Sequence, residues 1–260
     1  MAILARSFRA VFLQPAFLMC LALHAAAVGF LVFGVSFLSG HGTVDAIMIA
    51  GSRPQGIAFF VRQILPVFTG GLVSVTLFLF ILVCSGLAPE LVGDPVLPIL
   101  LTKGAGKRKV FLLHVAGVVA ALWVDVCCLC LSIPLVLYGK TGNLFAPVSA
   151  EAALVFMVLT LLLTSLAAIV GIITKKGLTS AGILLLLHFL VGPFLTFVGA
   201  SMSPLLRGFL LIVPPTSILG QSVSDSALGN AIPGTAVFQA LVIVVFSLTA
   251  ATEIFRRKDF

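Results

Sequence analysis

The sequence predicts an all-α integral membrane protein with six transmembrane helices. It adds an N-terminal interfacial amphipathic helix and a short cytoplasmic helix between spans two and three. Three observations predict this. Of 260 residues, 61% are hydrophobic and 9% charged, where soluble domains carry roughly 25% charged residues. The apolar residues form long unbroken runs instead of alternating with period two, which selects helices over barrel strands. Six of these runs reach about 20 residues, the length that crosses a ~30 Å hydrocarbon core.

Residues 1–14 come first. Leu4, Phe8, Val11 and Phe12 share one face at helical spacing, and Arg6 and Arg9 lie opposite. That pattern predicts a helix lying flat at the membrane surface, ended by Pro15. The next run, Ala16–Leu38, is too long for the apolar region of a signal peptide and is expected to stay as the first span. The other spans are expected at Ile64–Leu87, Val110–Tyr138, Ala152–Thr174, Leu178–Ala200 and Gly234–Thr252. The piece Gly208–Leu219 is too short to cross and contains Pro214–Pro215, so it is expected to lie half-buried at one face. The outer loops, about 39–63, 139–151 and 201–233, are too short for a folded external domain. One transmembrane domain, residues 1–260, accounts for the chain.

Basic residues set the orientation. With the N-terminus inside, that side holds Arg6, Arg9, Lys103, Lys107, Arg108, Lys109, Lys175, Lys176, Arg256, Arg257 and Lys258. The other side holds Arg53, Arg62, Lys140 and Arg207. Eleven against four places both termini in the cytoplasm, in a multi-pass protein of the cell's inner (plasma) membrane. The net charge of +7 is explained by this topology, so no nucleic-acid partner is expected. The five cysteines, Cys20, Cys84, Cys127, Cys128 and Cys130, fall inside apolar runs and read as small buried hydrophobes.

One polar island breaks the pattern, Glu90–Lys109, within a cytoplasmic region spanning 89–109. It carries two of the eight acids and four of the fifteen basic residues. Asp94 ahead of Pro95 predicts a helix start. Leu97, Ile99, Leu100 and Leu101 continue it, and Gly104 and Gly106 end it. Gly106-Lys107 looks like the end of a phosphate-binding loop, but Leu101 stands at the first glycine position and Arg108 at the final Ser/Thr position. ATP hydrolysis is therefore not expected in this chain.

These residues carry a resemblance. An acid (Glu90), a leucine-rich stretch (Ile99-Leu100-Leu101), a polar turn (Thr102 to Lys107) and an apolar run (Val110-Phe111-Leu112-Leu113) follow one another, and the chain ends on Ile254-Phe255-Arg256-Arg257-Lys258. In this order, and in its whole layout, the chain resembles the six-span permease subunits of type-2 ABC transporters. The family's turn proline is Gly104 here, and Pro95 and Pro98 interrupt the leucine-rich helix.

The resemblance implies an exporter subunit. The helix in the island would be a coupling helix that contacts a separate cytoplasmic ATPase through Glu90, Asp94, Leu97, Leu100, Leu101, Lys103, Lys107 and Arg108. ATP and magnesium would bind in that partner, with no cofactor in this chain. A second permease subunit, most simply a homodimer partner, would complete the pathway, and a periplasmic or accessory protein could join it.

Within the spans, Asp125 is the sharpest single residue, because an intramembrane carboxylate must be paired, hydrated or protonated. It is expected to contact substrate, to serve as a proton site, or, as a protonated acid, to hydrogen-bond a neighbouring helix. His24, His114 and His188 also fall within spans. Lying on three different helices, they read as structural, and no metal ligands are assigned. Pro134, Gly192 and Pro193 are positions where the third and fifth spans can bend. Two other functions stay open: a permease-like membrane component of a cofactor-assembly system (cytochrome c maturation or metal-centre biogenesis), and a proton-coupled carrier using Asp125.

Overall fold

The computed structural model describes residues 2–40, 43–56, 59–94, 96–102, 106–141, 150–199, 213–227 and 232–258. Lys103, with Gly104, Ala105 and Pro95, lies outside the described residues. Six helices are long and apolar enough to cross a membrane, so the chain is a multi-pass, mostly helical membrane protein.

Helix α1 (Ala2–Phe12) presents Val11 and Ser7 to the interior and leaves Arg6 and Arg9 exposed. It packs on α5 (Lys107–Thr141). Gly117 of α5 makes that approach possible. A Cβ there would stand 2.7 Å from the Leu4 carbonyl oxygen and from Ser7 Cβ. The two backbones touch where any side chain would hold them apart.

Helix α2 (Pro15–Gly29) opens on a proline, which loses no hydrogen bond in a first turn. It passes through a π-helical turn, Phe30–Gly34, and then the chain becomes extended. Strands β1 (Val35–Gly40), β2 (Thr43–Ile49) and β3 (Gln55–Gly56) form a small antiparallel sheet in that order. Val35 pairs with Ile49 and Phe37 with Ile47, and the register shifts between Leu38 and Ser39. This corrects the expected first span: residues 35–38 are strand, not helix. Phe37, Ile47 and Ile49 close over Phe60, Ile64 and Leu65 at the start of the second span. Lys140 binds the Val35 carbonyl at the same end.

A π-helical turn, Phe60–Ile64, leads into α3 (Leu65–Val92). The helix runs five residues past the expected Leu87, so Glu90 sits on its last turn instead of in a loop. Helix α4 (Val96–Thr102) follows, close to the expected place. Helix α5 starts at Lys107, so Lys107, Arg108 and Lys109 stand on a helix and not on a turn. Helix α6 (Ala150–Thr174) is the centre of the bundle: residues 162–168 are all buried, against α3, α5 and three elements still to come.

The fifth span begins as α7 (Gly177–Leu186), passes through a π-helical turn, Leu187–Val191, and ends as α8 (Gly192–Gly199). Pro193 lacks the N–H for a regular ladder, and a widened turn just before it absorbs the missing bond. Residues 201–212 lie outside the described residues, and with them the first five residues of the expected half-buried piece at 208–219. Its described end differs from expectation. After Pro214–Pro215 the chain forms α9 (Thr216–Ala227), which packs against α3 and α6 with Leu219 fully buried. Helix α10 (Gly234–Arg257) continues beyond the expected Thr252 and covers α6.

The outward faces are apolar, as hydrocarbon requires: Phe33, Phe197 and Phe246 are each more than 70% exposed. Inside, α-helices are joined by short polar bonds. Trp123 Nε1 donates to the Met157 carbonyl and to Thr160 Oγ1, both at 3.1 Å. Cys84 Sγ lies 3.3 Å from Thr164 Oγ1.

Candidate functional site

Two constellations hold most of the residues singled out in the sequence. The first is intramembrane. His24 lies one helical turn after Cys20 on α2, so both side chains leave the same face. That face meets Asp125 of α5 and Thr76 of α3. His24 Nδ1 lies 3.0 Å from Asp125 Oδ1, and His24 Nε2 lies 2.9 Å from Thr76 Oγ1. The Cys20 thiol donates to Asp125 Oδ2 at 3.4 Å, and its sulfur is 3.7 Å from His24 Nε2. All four residues are buried; Cys20 and Thr76 are fully so.

The neutral tautomer that satisfies every partner has Nδ1–H donating to Asp125 while Nε2 accepts the Thr76 hydroxyl. Asp125 then uses both oxygens, and three helices are tied at one point. This is the pairing that an intramembrane carboxylate requires. Asp125 of α5 thus meets two side chains of α2. The sequence reading missed Cys20 and Thr76. The spacing of four between Cys20 and His24 was a legible signal, whereas nothing local to Thr76 points to it.

The second constellation lies at the end of the bundle that carries both chain ends. Arg6 Nη2 donates to the Asp94 carboxylate at 3.0 Å. Gln14 Nε2 donates to both Glu90 oxygens, at 3.1 and 3.2 Å. His114 lies between α1 and α3: Nδ1 is 2.7 Å from Ser7 Oγ, and Nε2 donates to the Leu87 carbonyl at 3.0 Å. A cavity of about 300 Å³ opens among these groups, lined by Arg6, Ser7, Glu90, Asp94, Leu97 and His114 among others. The backbone N–H of Leu97 donates to the Asp94 carbonyl, which starts α4 at the place read from the sequence.

The α4 side chains divide differently from expectation. Leu97 is buried in the chain's own core at 1% exposure, Leu101 is half-buried, and Ile99 is 53% exposed. Leu100 is part of α4. Beside α4, Lys107 Nζ donates to the Lys258 carbonyl. Arg108 reaches Glu253 at 2.9 Å, and Arg256 and Arg257 bind the same carboxylate. Lys258 Nζ in turn donates to the Ile172 carbonyl at 3.0 Å. Burial, and then the nearby Lys175, push its amine below the ordinary lysine range.

His188 belongs to neither group. It is buried on the π-helical turn, with its ring edge-on to Phe189 at 4.5 Å. Gly220 of α9 leaves room for it, since a Cβ there would meet His188 Cε1 at 3.3 Å. Among the described residues its Nδ1 has no hydrogen-bond partner. The three histidines thus occupy three separate environments and do not converge on one centre.

No family model matches this chain, and none of the curated proteins matches it significantly.

Proposed function

We propose that this chain is the transmembrane permease subunit of an ATP-binding-cassette exporter of the type-2 class, driven by a separate cytoplasmic ATPase. One observation carries the proposal: at one end of the bundle Arg6 of α1 and Gln14 just after it bond to Asp94 and Glu90, at the junction of α3 and α4, and α1 packs on α5. Arg6–Asp94 and Gln14–Glu90 join the flat helix to the island, and Gly117 seats it on α5. A partner that displaces α4 would move α3 and α5 together, because α4 is the link between them. Both helices run through the bundle, so the displacement would reach its far end. A short helix joined on both sides to long ones suits rigid-body coupling.

In this reading ATP and magnesium bind only in the partner. Lys107, at the lysine position of the phosphate-loop-like stretch, donates to the Lys258 carbonyl. Two copies of the chain, as a homodimer, supply the pathway. The end holding α1, α4 and both chain ends faces the cytoplasm of a cell whose inner membrane holds the protein. Exposed apolar surface anchors interfaces more than exposed charge does, so Ile99 is the docking residue and buried Leu97 a supporting one.

The test is retention of an ATPase by the tagged full chain extracted from its native membrane. Wild type is expected to bring with it magnesium-dependent ATP hydrolysis. Ile99→Asp is expected to lose at least about tenfold of that activity, while inserting normally. No associated hydrolysis with wild type, or full retention by Ile99→Asp, contradicts the proposal.

A further inference from the structure

The Cys20–His24–Asp125 cluster has the donor set of a metal centre as well as of a hydrogen-bond network. We infer that it is a binding site for one divalent transition-metal ion of the zinc class, held by Cys20 Sγ, His24 Nδ1 and an Asp125 carboxylate oxygen inside the bundle. The inference does not depend on the transport reading.

Geometry comes first. One donor atom from each residue can be chosen so that all lie within 4.8 Å of one another. Zinc bonds of about 2.3 Å to sulfur and about 2.0 Å to nitrogen or oxygen, at tetrahedral angles, separate sulfur from its neighbours by about 3.5 Å. The observed separations are 3.4 Å from Cys20 Sγ to Asp125 Oδ2 and 3.0 Å from His24 Nδ1 to Asp125 Oδ1. The carboxylate is therefore already spaced for an ion shared with the thiol and with Nδ1. Cys20 and His24, one turn apart on α2, provide one half of the site, and Asp125 on α5 provides the other.

The surrounding bonds fit the same assignment. With Nδ1 on the metal, Nε2–H donates to Thr76 Oγ1 at 2.9 Å. Metal-bound histidines commonly carry such a bond, which fixes the ring and its tautomer.

Charge selects the ion. The site lies within apolar spans and is buried, so its net charge must be close to zero. A thiolate and a carboxylate sum to −2, which a divalent cation cancels and a monovalent one does not. This favours zinc-like ions over cuprous copper, although sulfur and imidazole suit both. Uptake of the ion releases the Cys20 thiol proton to solvent, and His24 stays neutral as its proton passes from Nδ1 to Nε2. The ion would clamp α2 to α5 at the level of Thr76, and the closed surroundings make it structural in kind.

The experiment uses the full chain in lipid nanodiscs, loaded with zinc or cobalt and freed of excess. Elemental analysis should give one ion per chain. X-ray absorption on the zinc form should show one sulfur at about 2.3 Å among nitrogen and oxygen neighbours. The cobalt form should show a thiolate charge-transfer band. Cys20→Ser should abolish that band, and His24→Gln or Asp125→Asn should weaken binding at least about tenfold. Cys127→Ser and Cys130→Ser should change neither. Occupancy below about one ion in ten chains, a zinc shell without sulfur, or a band that survives Cys20→Ser overturns the inference. The X-ray measurement on wild type decides the matter even if a variant fails to fold.

Discussion

Asp125 accepts from two donors on α2, and its replacements separate a lost charge from a lost acceptor. Asparagine keeps one oxygen for His24 Nδ1–H or the Cys20 thiol. Interhelical polar bonds in membranes average about 0.6 kcal/mol, so Asp125→Asn should cost under about 1 kcal/mol. Leucine leaves two buried donors without an acceptor, a loss of about 1–3 kcal/mol. Thermal unfolding in detergent should therefore rank wild type, Asn and Leu in that order, with the larger step at leucine; an equal melting point for all three would remove Asp125 from the structural account. Arg6–Asp94 makes the opposite case. It is a surface pair with the arginine more than half exposed, and such pairs contribute about 0–1 kcal/mol. Arg6→Ala should leave the melting point almost unchanged. Asp125 and His24 were legible as residues that need partners, because burial of a titratable group is readable from its apolar neighbours. Their pairing was not, since it depends on how α2, α3 and α5 are rotated about their axes.

Helix α1 is held by shape more than by charge. Gly117 meets Leu4 and Ser7 at distances no side chain tolerates, so Gly117→Leu should lift α1 from α5 and break the 2.7 Å contact between Ser7 and His114. Disulfide trapping checks this. A pair of cysteines at Arg6 and Asp94 should cross-link readily in an otherwise wild-type chain and at least about tenfold more slowly with Gly117→Leu. Unchanged cross-linking would show that Gln14–Glu90 and the other contacts of α1 hold the helix without the Gly117 seat. Six apolar spans were readable because hydrophobicity and length are local properties of the chain. Helix ends were less so: α3 carries Glu90, α5 begins on three basic residues and α10 carries Glu253, all polar groups that a helix tolerates at the water boundary. The strands at 35–56 escaped the sequence because Val35 and Phe37 prolong an apolar run, and their pairing with Ile49 and Ile47 is a non-local contact.

At the scale of the whole molecule, described basic residues gather at the two ends of the bundle unequally. Arg6, Arg9, Lys107, Arg108, Lys109, Lys175, Lys176, Arg256, Arg257 and Lys258 share one end, with α1, α4 and both chain ends. Arg53 and Lys140 belong with the β-sheet at the other. The positive-inside rule turns this asymmetry into an orientation, and the coupling proposal stands or falls with it, because a cytoplasmic ATPase can reach only one end. Single cysteines at Ser52 and Lys109, both exposed, exposed in turn to a membrane-impermeant maleimide on intact cells, test that claim most directly. Labelling of position 52, with position 109 reacting only after the membrane is opened, is the predicted result. Labelling of position 109 from outside would place α4 beyond the reach of any cytoplasmic ATPase and contradict the account.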